Sequence, residues 1–296
     1  MCGIAGFSIS DKDHKVIRTR LLSEAMLRQI QVRGTDATGA VWSENTEDGV
    51  ELYFAKDAVD AETFIDLNID LIPKYTRTAL LHTRYATKGE PSNNNNNHPI
   101  MTNKVIGVHN GVITNDDDLF EELGVKRIAQ VDSEAIFQLL SVSKDRLGDL
   151  KKLRGRAAIA WYDTIDPFTM HLARLEGSPL WIGHTEGGST LFASTEPLLR
   201  KSAVDAGVTL QTIWEVPEYL YLKVVKGKIV ERRALPKPHV VTARPSYYKP
   251  NKSFTNLPAP YYTQPRRVDP FAFNESQRRA AMTLRDRMDF DYFNRR

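Results

Sequence analysis

MCGIAGFSI (residues 1–9) places the only cysteine of 296 residues directly behind the initiator methionine, at the head of a short apolar run. Gly3 to Ile9 is too short for a helix and reads as a buried strand. Cys2 is then open to two readings. It is either a small hydrophobe packed in a core, or, once Met1 is removed, a residue carrying a thiol and a free α-amine together. The rest of the chain has to decide between them.

Outward from that strand, residues 1–231 read as one α+β unit. Leu22, Ala25, Met26 and Ile30 share a helical face, which predicts a helix over Thr19–Gln31 resting on a sheet. Ala40–Trp42 and Glu51–Ala55 flank a turn at Glu47-Asp48-Gly49 and read as paired strands. Ala61–Leu71 is a further helix candidate, and Thr78–Thr83 and Val105–His109 are further strands. Asp116–Leu123 and Asp132–Val142 read as helices. From Arg156 the pattern becomes short strands separated by turns: Ala157–Tyr162, Thr169–Leu175, Pro179–Gly183, Thr190–Ala193, Leu210–Ile213, Glu218–Val224 and Ile229–Val230. Helices gathered early with strands on both sides predict stacked antiparallel sheets, not alternating βαβ units.

A single cysteine excludes an intramolecular disulfide and a cysteine-rich metal site. It fits a reducing compartment, and with no secretory leader in the opening residues the expected location is cytoplasmic. No apolar run approaches the roughly 20 residues that span a bilayer. The net charge of +3 conceals a split: residues 232–296 carry 14 Lys and Arg against 5 Asp and Glu, whereas residues 1–231 carry 26 against 32. The basic segment, 232–296, is rich in Pro, Tyr and Arg. It reads as an extension ending in a short helix that carries Ala280, Leu284 and Met288. Its composition suits wrapping a partner surface. Self-packing is an equal alternative, and nucleic acid ranks third.

Five further stretches bear on Cys2: RGTDATG (33–39), HTRYAT (82–87), His98-Pro99, VHNG (108–111) and VDSE (131–134). Together they supply what splitting a primary amide needs. A thiolate is a strong nucleophile, and an N-terminal α-amine, titrating near about 7.7–8.0, is a base built into the same residue. Asn110-Gly111 offers a side-chain amide and an unhindered backbone N–H, suited to an oxyanion. Arg84 can grip a carboxylate and Asp132 can pair with an ammonium. A ligand with both groups and a side-chain amide is glutamine. Taken singly, each has a plainer reading: a hairpin turn for Asn-Gly, a solvated charge for Arg84, a helix cap for Asp132.

The combination resembles the glutaminase domain of class II glutamine amidotransferases, which are N-terminal nucleophile hydrolases. The wording is nearest to the glucosamine-6-phosphate synthase branch, with the phosphoribosylpyrophosphate amidotransferases next. MCGIAGF, RGTDATG, HTRYATKGEPS with a later HP, VHNG and VDSEAI occur in the family's order over residues 2–230, with a weaker echo at Gly177–Leu180 and Ala193-Ser194. The resemblance implies a four-layer αββα sandwich of two antiparallel sheets. It implies that Cys2, freed of Met1, attacks the amide and forms a thioester, with Asn110 and Gly111 as the oxyanion hole. Arg84 would bind the glutamine α-carboxylate and Asp132 its α-amino group. Thr87 and His98 would line the pocket, and Arg33 would support the nucleophile. No cofactor and no metal are implied.

Tyr85 and Lys88 depart from that branch, where tryptophan and histidine are usual. The run Asn93–Asn97 falls in the loop that would close over glutamine and reads as polar and disordered. The family normally carries a second domain that consumes ammonia, and residues 232–296 contain none. The expectation is therefore ammonia passed to a separate synthase partner. The alternatives are a free-standing γ-glutamyl amide hydrolase and a non-catalytic assembly protein that retained the fold.

Overall fold

Alternation along the strands builds the layers. In the computed structural model, which describes residues 1–47 and 49–238, β1 (Gly3–Ser8) is buried on both faces. The chain continues through α1 (Thr19–Ile30), β2 (Ala37–Thr46), β3 (Gly49–Asp57), α2 (Ala61–Asn68), β4 (Thr78–Arg84), β5 (Ile100–Met101) and β6 (Val105–Ile113). Next come α3 (Asp116–Leu123), α4 (Ser133–Val142), α5 (Arg146–Asp149), β7 (Gly155–Asp163), β8 (Asp166–Arg174), β9 (Trp181–Thr185) and β10 (Thr190–Ala193). The described part closes with α6 (Glu196–Asp205), β11 (Leu210–Glu215), β12 (Leu220–Val225) and β13 (Lys228–Ala234). One antiparallel sheet has the order β11-β9-β10-β1-β4-β2-β3, the other β13-β12-β8-β7-β6-β5.

Because successive strand residues point to opposite faces, each central strand feeds two cores. Ala5 and Phe7 of β1, Ala40 and Trp42 of β2, and Ala79 and Leu81 of β4 pack against Leu22 and Met26 of α1, Phe64 of α2 and Leu199 of α6. Their neighbours Ile4, Val41 and Leu80 face the other way. They meet Ile106, Val108, Ala158, Leu172 and Leu222 of the second sheet in a layer between the sheets. The outer face of that second sheet, with Ile159, Trp161 and Tyr221, packs on Leu119 of α3 and Ile136, Leu139 and Leu140 of α4. The result is the expected α+β four-layer αββα sandwich. Each fully buried Leu or Phe in such a core stabilises it by about 1.5–3 kcal/mol.

The structure departs from the sequence expectations at several places. The helix candidate Ala61–Leu71 is α2 to Asn68, followed by a 3-10 turn over Ile69–Leu71. A helix that the strand-and-turn reading passed over, α6, lies among the late strands. Its buried face is only Leu199, Ser202 and Ala203, too thin an apolar stripe to stand out. The short α5 was likewise not anticipated. β13 runs across position 231 to Ala234. The expected helix carrying Ala280, Leu284 and Met288 lies outside the described residues.

Candidate functional site

The period of two that builds the cores also aims the polar residues. On β4, His82 and Arg84 continue the inter-sheet face of Leu80, and on β6, Asn110 continues that of Ile106 and Val108. Cys2 has the parity of Ile4. The inter-sheet layer thus turns from apolar to polar at one end, and there an open cleft of about 290 Å³ is lined by Cys2, Arg84, Thr87, His98, Gly111 and Asp132, with Tyr85, Lys88, His109, Val131 and Ser133 completing the wall. Of the sequence candidates, six line the cleft. Asn110 and Arg33 are not among the lining residues.

Cys2 is half-buried. Its Sγ donates to the Tyr85 carbonyl at 3.6 Å and accepts from the Tyr85 N–H at 3.4 Å. Burial pushes the thiol above its ordinary value, and Asp132 adds to the rise, while the Tyr85 hydrogen bond and Arg84 pull it down. Arg33 Nε donates to the Cys2 carbonyl at 2.7 Å, which fixes the backbone just ahead of β1.

Asn110 is buried, and its Nδ2 has no hydrogen-bond partner among the described residues. A buried donor left unpaired costs about 1–3 kcal/mol, so a carbonyl or oxyanion at that point would relieve a penalty the fold carries. Gly111 follows at φ +154°, and a Cβ built there would stand 1.8 Å from the Arg156 carbonyl of the neighbouring strand. Only glycine fits that close pairing of β6 with β7.

Asp132 is buried at the N-cap position of α4, as its place suggested, but its side chain makes no capping bond. Its Oδ2 instead accepts the Ile113 N–H at 2.6 Å, tying α4 to the end of β6.

The asparagine run is also not the disordered loop its composition suggested. Asn96 and Asn97 are fully buried. Asn96 Nδ2 donates to the Glu90 carbonyl at 2.9 Å and to Gln130 Oε1 at 3.0 Å, and its Oδ1 accepts the Gln130 N–H at 2.8 Å. Asn97 Nδ2 donates to the Pro91 carbonyl at 2.7 Å and to Asn94 Oδ1 at 2.8 Å. These amides serve as internal staples. Arg84, itself buried, completes the loop: Nη1 donates to Asn97 Oδ1 at 2.9 Å, and Nη2 to the Lys88 and Gly89 carbonyls at 2.7 and 2.6 Å. Lys88 leaves the same loop to pair with Asp116 Oδ2 at 2.5 Å, which Arg127 also holds at 2.8 Å. Those two cations hold the Asp116 carboxyl below the usual carboxylate range against the upward push of burial.

Sequence reading named His98 but missed the buried histidines His82 and His109 that join it at the cleft. His82 and His98 stack with ring centroids 4.0 Å apart. His82 Nε2 lies 3.2 Å from the His109 carbonyl, and His109 Nδ1 lies 2.8 Å from Ser133 Oγ. Both ring nitrogens of His98 lack a partner among the described residues. Burial depresses all three, His82 to about 3, so they are neutral at physiological pH. The signal was in the alternation: His82 and His109 sit at buried register positions of strands already recognised. Among the described residues there is no cluster of metal-ligating side chains, and no helix is long and apolar enough to cross a membrane.

Known proteins resemble this chain in sequence and in fold. A family model described as a glutamine amidotransferase domain matches residues 82–201. The glutamine–fructose-6-phosphate aminotransferase of Photorhabdus laumondii is 31% identical over 210 residues, covering 67% of this chain and 32% of that protein. The enzyme of the same name from Escherichia coli K12 is 32% identical over 206 residues, 62% of this chain and 30% of that one. The chain spans about a third of the length of the curated relatives it matches. Among solved structures, the glutamine phosphoribosylpyrophosphate amidotransferase of B. subtilis, complexed with ADP and GMP, superposes with a TM-score of 0.62 at 20% identity. That match covers 79% of this chain and 49% of that one, a likeness of fold.

Proposed function

The chain belongs to the class II glutamine amidotransferases, and from that membership we propose that its cleft hydrolyses the side-chain amide of glutamine to glutamate and ammonia. One observation carries the reading: a single cleft gathers a thiol, a guanidinium, a carboxylate and the Gly111 backbone from four distant parts of the chain. A thiol raised by burial is protonated at neutral pH, so attack needs a base. Lys88 is engaged by Asp116, and burial leaves His98 and His109 weakly basic. The α-amine of Cys2, released when Met1 is removed, is the group suited to the task.

In the proposed sequence that amine takes the Sγ proton while sulfur bonds to the amide carbon. The oxygen becomes an oxyanion held by Asn110 Nδ2 and the Gly111 N–H. The carbon–nitrogen bond then breaks, nitrogen receives the proton, and ammonia leaves a thioester on Cys2. Water, deprotonated by the same amine, adds to the thioester and releases glutamate and the thiol. Arg84 takes the α-carboxylate and Asp132 the α-ammonium, with Thr87 and His98 lining the pocket and Arg33 holding the nucleophile's backbone. The ammonia passes to a separate synthase partner, with the basic segment 232–296 as the proposed contact.

The test is glutamate release by protein freed of Met1. Cys2→Ala is expected to abolish it, and Asn110→Ala to lower kcat by about 10²–10³-fold. A Met1-free protein that releases no glutamate, alone or with candidate ammonia acceptors, rejects the reading.

A further inference from the structure

Arg84 commits three of its five N–H donors to its own loop: one Nη1 proton to Asn97 Oδ1 and both Nη2 protons to the Lys88 and Gly89 carbonyls. A forked grip on a carboxylate uses two parallel N–H bonds from adjacent nitrogens. Each such edge of a guanidinium, Nε with Nη2 or Nη1 with Nη2, draws on an Nη2 proton. With both Nη2 protons engaged, neither edge is complete. Only Nε–H and one Nη1–H remain, and they are not parallel.

We propose that Asn97 is a positioning residue for the α-carboxylate of glutamine: it fixes the Arg84 guanidinium so that the ligand meets a single, pre-aimed N–H rather than a fork. This rests on the glutaminase reading. Asn97 suits the task because all of its polar atoms are engaged. Its Oδ1 holds Arg84, its Nδ2 is bound by Pro91 and Asn94, and its backbone carbonyl accepts Lys56 Nζ at 2.8 Å. It is fully buried beside the cis His98-Pro99 peptide and next to a residue that lines the cleft. A one-point contact loses its alignment when the guanidinium can swivel, whereas a fork realigns itself on the ligand. Asn97, which need not touch the substrate, therefore governs how well the carboxylate is held.

The experiment compares Asn97→Ala and Asn97→Asp in full-length, Met1-free protein. Asn97→Ala is expected to raise the KM for glutamine about tenfold, the ratio that one lost hydrogen bond of about 1.4 kcal/mol gives, with a smaller effect on kcat. Asn97→Asp keeps the acceptor but adds a charge that competes with the ligand carboxylate for Arg84, so its KM is expected to exceed that of Asn97→Ala. A role confined to loop structure moves KM and kcat together, because Asn97→Asp also loses the Nδ2 bonds to Pro91 and Asn94 and so does not favour one parameter. Amide hydrogen exchange at residues 88–97 is the second measurement. It is expected to quicken equally in Asn97→Ala and Arg84→Ala, and no further in the double variant. Should the parent protein fail to turn over glutamine, the glutaminase reading falls while the exchange result still decides whether Asn97 clamps Arg84. A KM for Asn97→Ala within twofold of the parent, an Asp variant better than the Ala variant, or unchanged exchange overturns the proposal.

Discussion

At the scale of single residues, the neutral histidines have a cost that depends on pH. His82, His98 and His109 sit below their ordinary value of about 6.5 because burial disfavours the imidazolium. His171, stacked on Trp161 outside the cleft, is held at about 4 for the same first reason. For each, the unfolded chain binds a proton that the folded chain refuses between the two values. Stability is therefore fully present above about pH 6.5 and drains away as the pH falls through that window, at up to about 1.4 kcal/mol per pH unit per histidine. Carboxylates such as Asp116 join only below about pH 4. The urea midpoint is expected to decline between pH 7.5 and 5, before carboxylates titrate, and a flat profile over that range contradicts the account. Sequence reading brought the lone thiol together with residues that the structure also places beside it, lining one cleft. It failed for His82 and His109, whose roles come from the register position they occupy. Asp132 was recognised as a polar group at a helix start, but which donor it serves depends on the end of β6, and nothing local encodes that.

Among elements, the pairing of β6 with β7 carries the sharpest constraint. Gly111 lies opposite Ala157, and any Cβ at 111 drives into the Arg156 carbonyl. Gly111→Ala must separate the strands or rotate the Asn110-Gly111 peptide. The expected result is a loss of thermal stability together with loss of glutamate release, read by calorimetry and the same glutaminase assay. A Gly111→Ala protein with parental Tm and kcat would refute the close-approach argument. The loop from Tyr85 to Asn97 shows why composition misleads at this scale. Five asparagines look like solvent-facing filler, yet a short amide is able to satisfy buried carbonyls and amide protons where the chain cannot form a ladder. Whether it does so depends on what surrounds it, here Arg84, Glu90 and Gln130. The strands were legible because alternation is local. The helix α6 was not, because its contact with the first sheet is narrow and much of its surface faces solvent.

For the whole molecule, the two sheets share one apolar layer that turns polar only at the cleft end, and each also owns an outer core. The four layers should then unfold together, since neither sheet can leave without exposing the shared layer. Trp42 in one outer core and Trp161 in the other are both buried, and Trp181 and Trp214 also lie on the first sheet, so Trp161→Phe leaves fluorescence from that sheet alone. Urea transitions of Trp42→Phe and Trp161→Phe, each followed by fluorescence and by far-UV circular dichroism, are expected to coincide within each variant. Two resolved transitions would show that the halves are independent.

The first strand has a practical consequence for anyone producing the protein. Pairing in β1 begins at Gly3, opposite Thr83, so there is no slack between the ladder and the thiol. Met1 directly precedes the thiol and is 63% exposed, with Arg33 Nη2 3.9 Å from its sulfur. A purification tag on the amino end would keep the Cys2 nitrogen acylated. Affinity handles belong on the carboxyl end, or must be cut so that cysteine is the first residue left. A preparation tagged at the front and found inert says nothing about the enzyme.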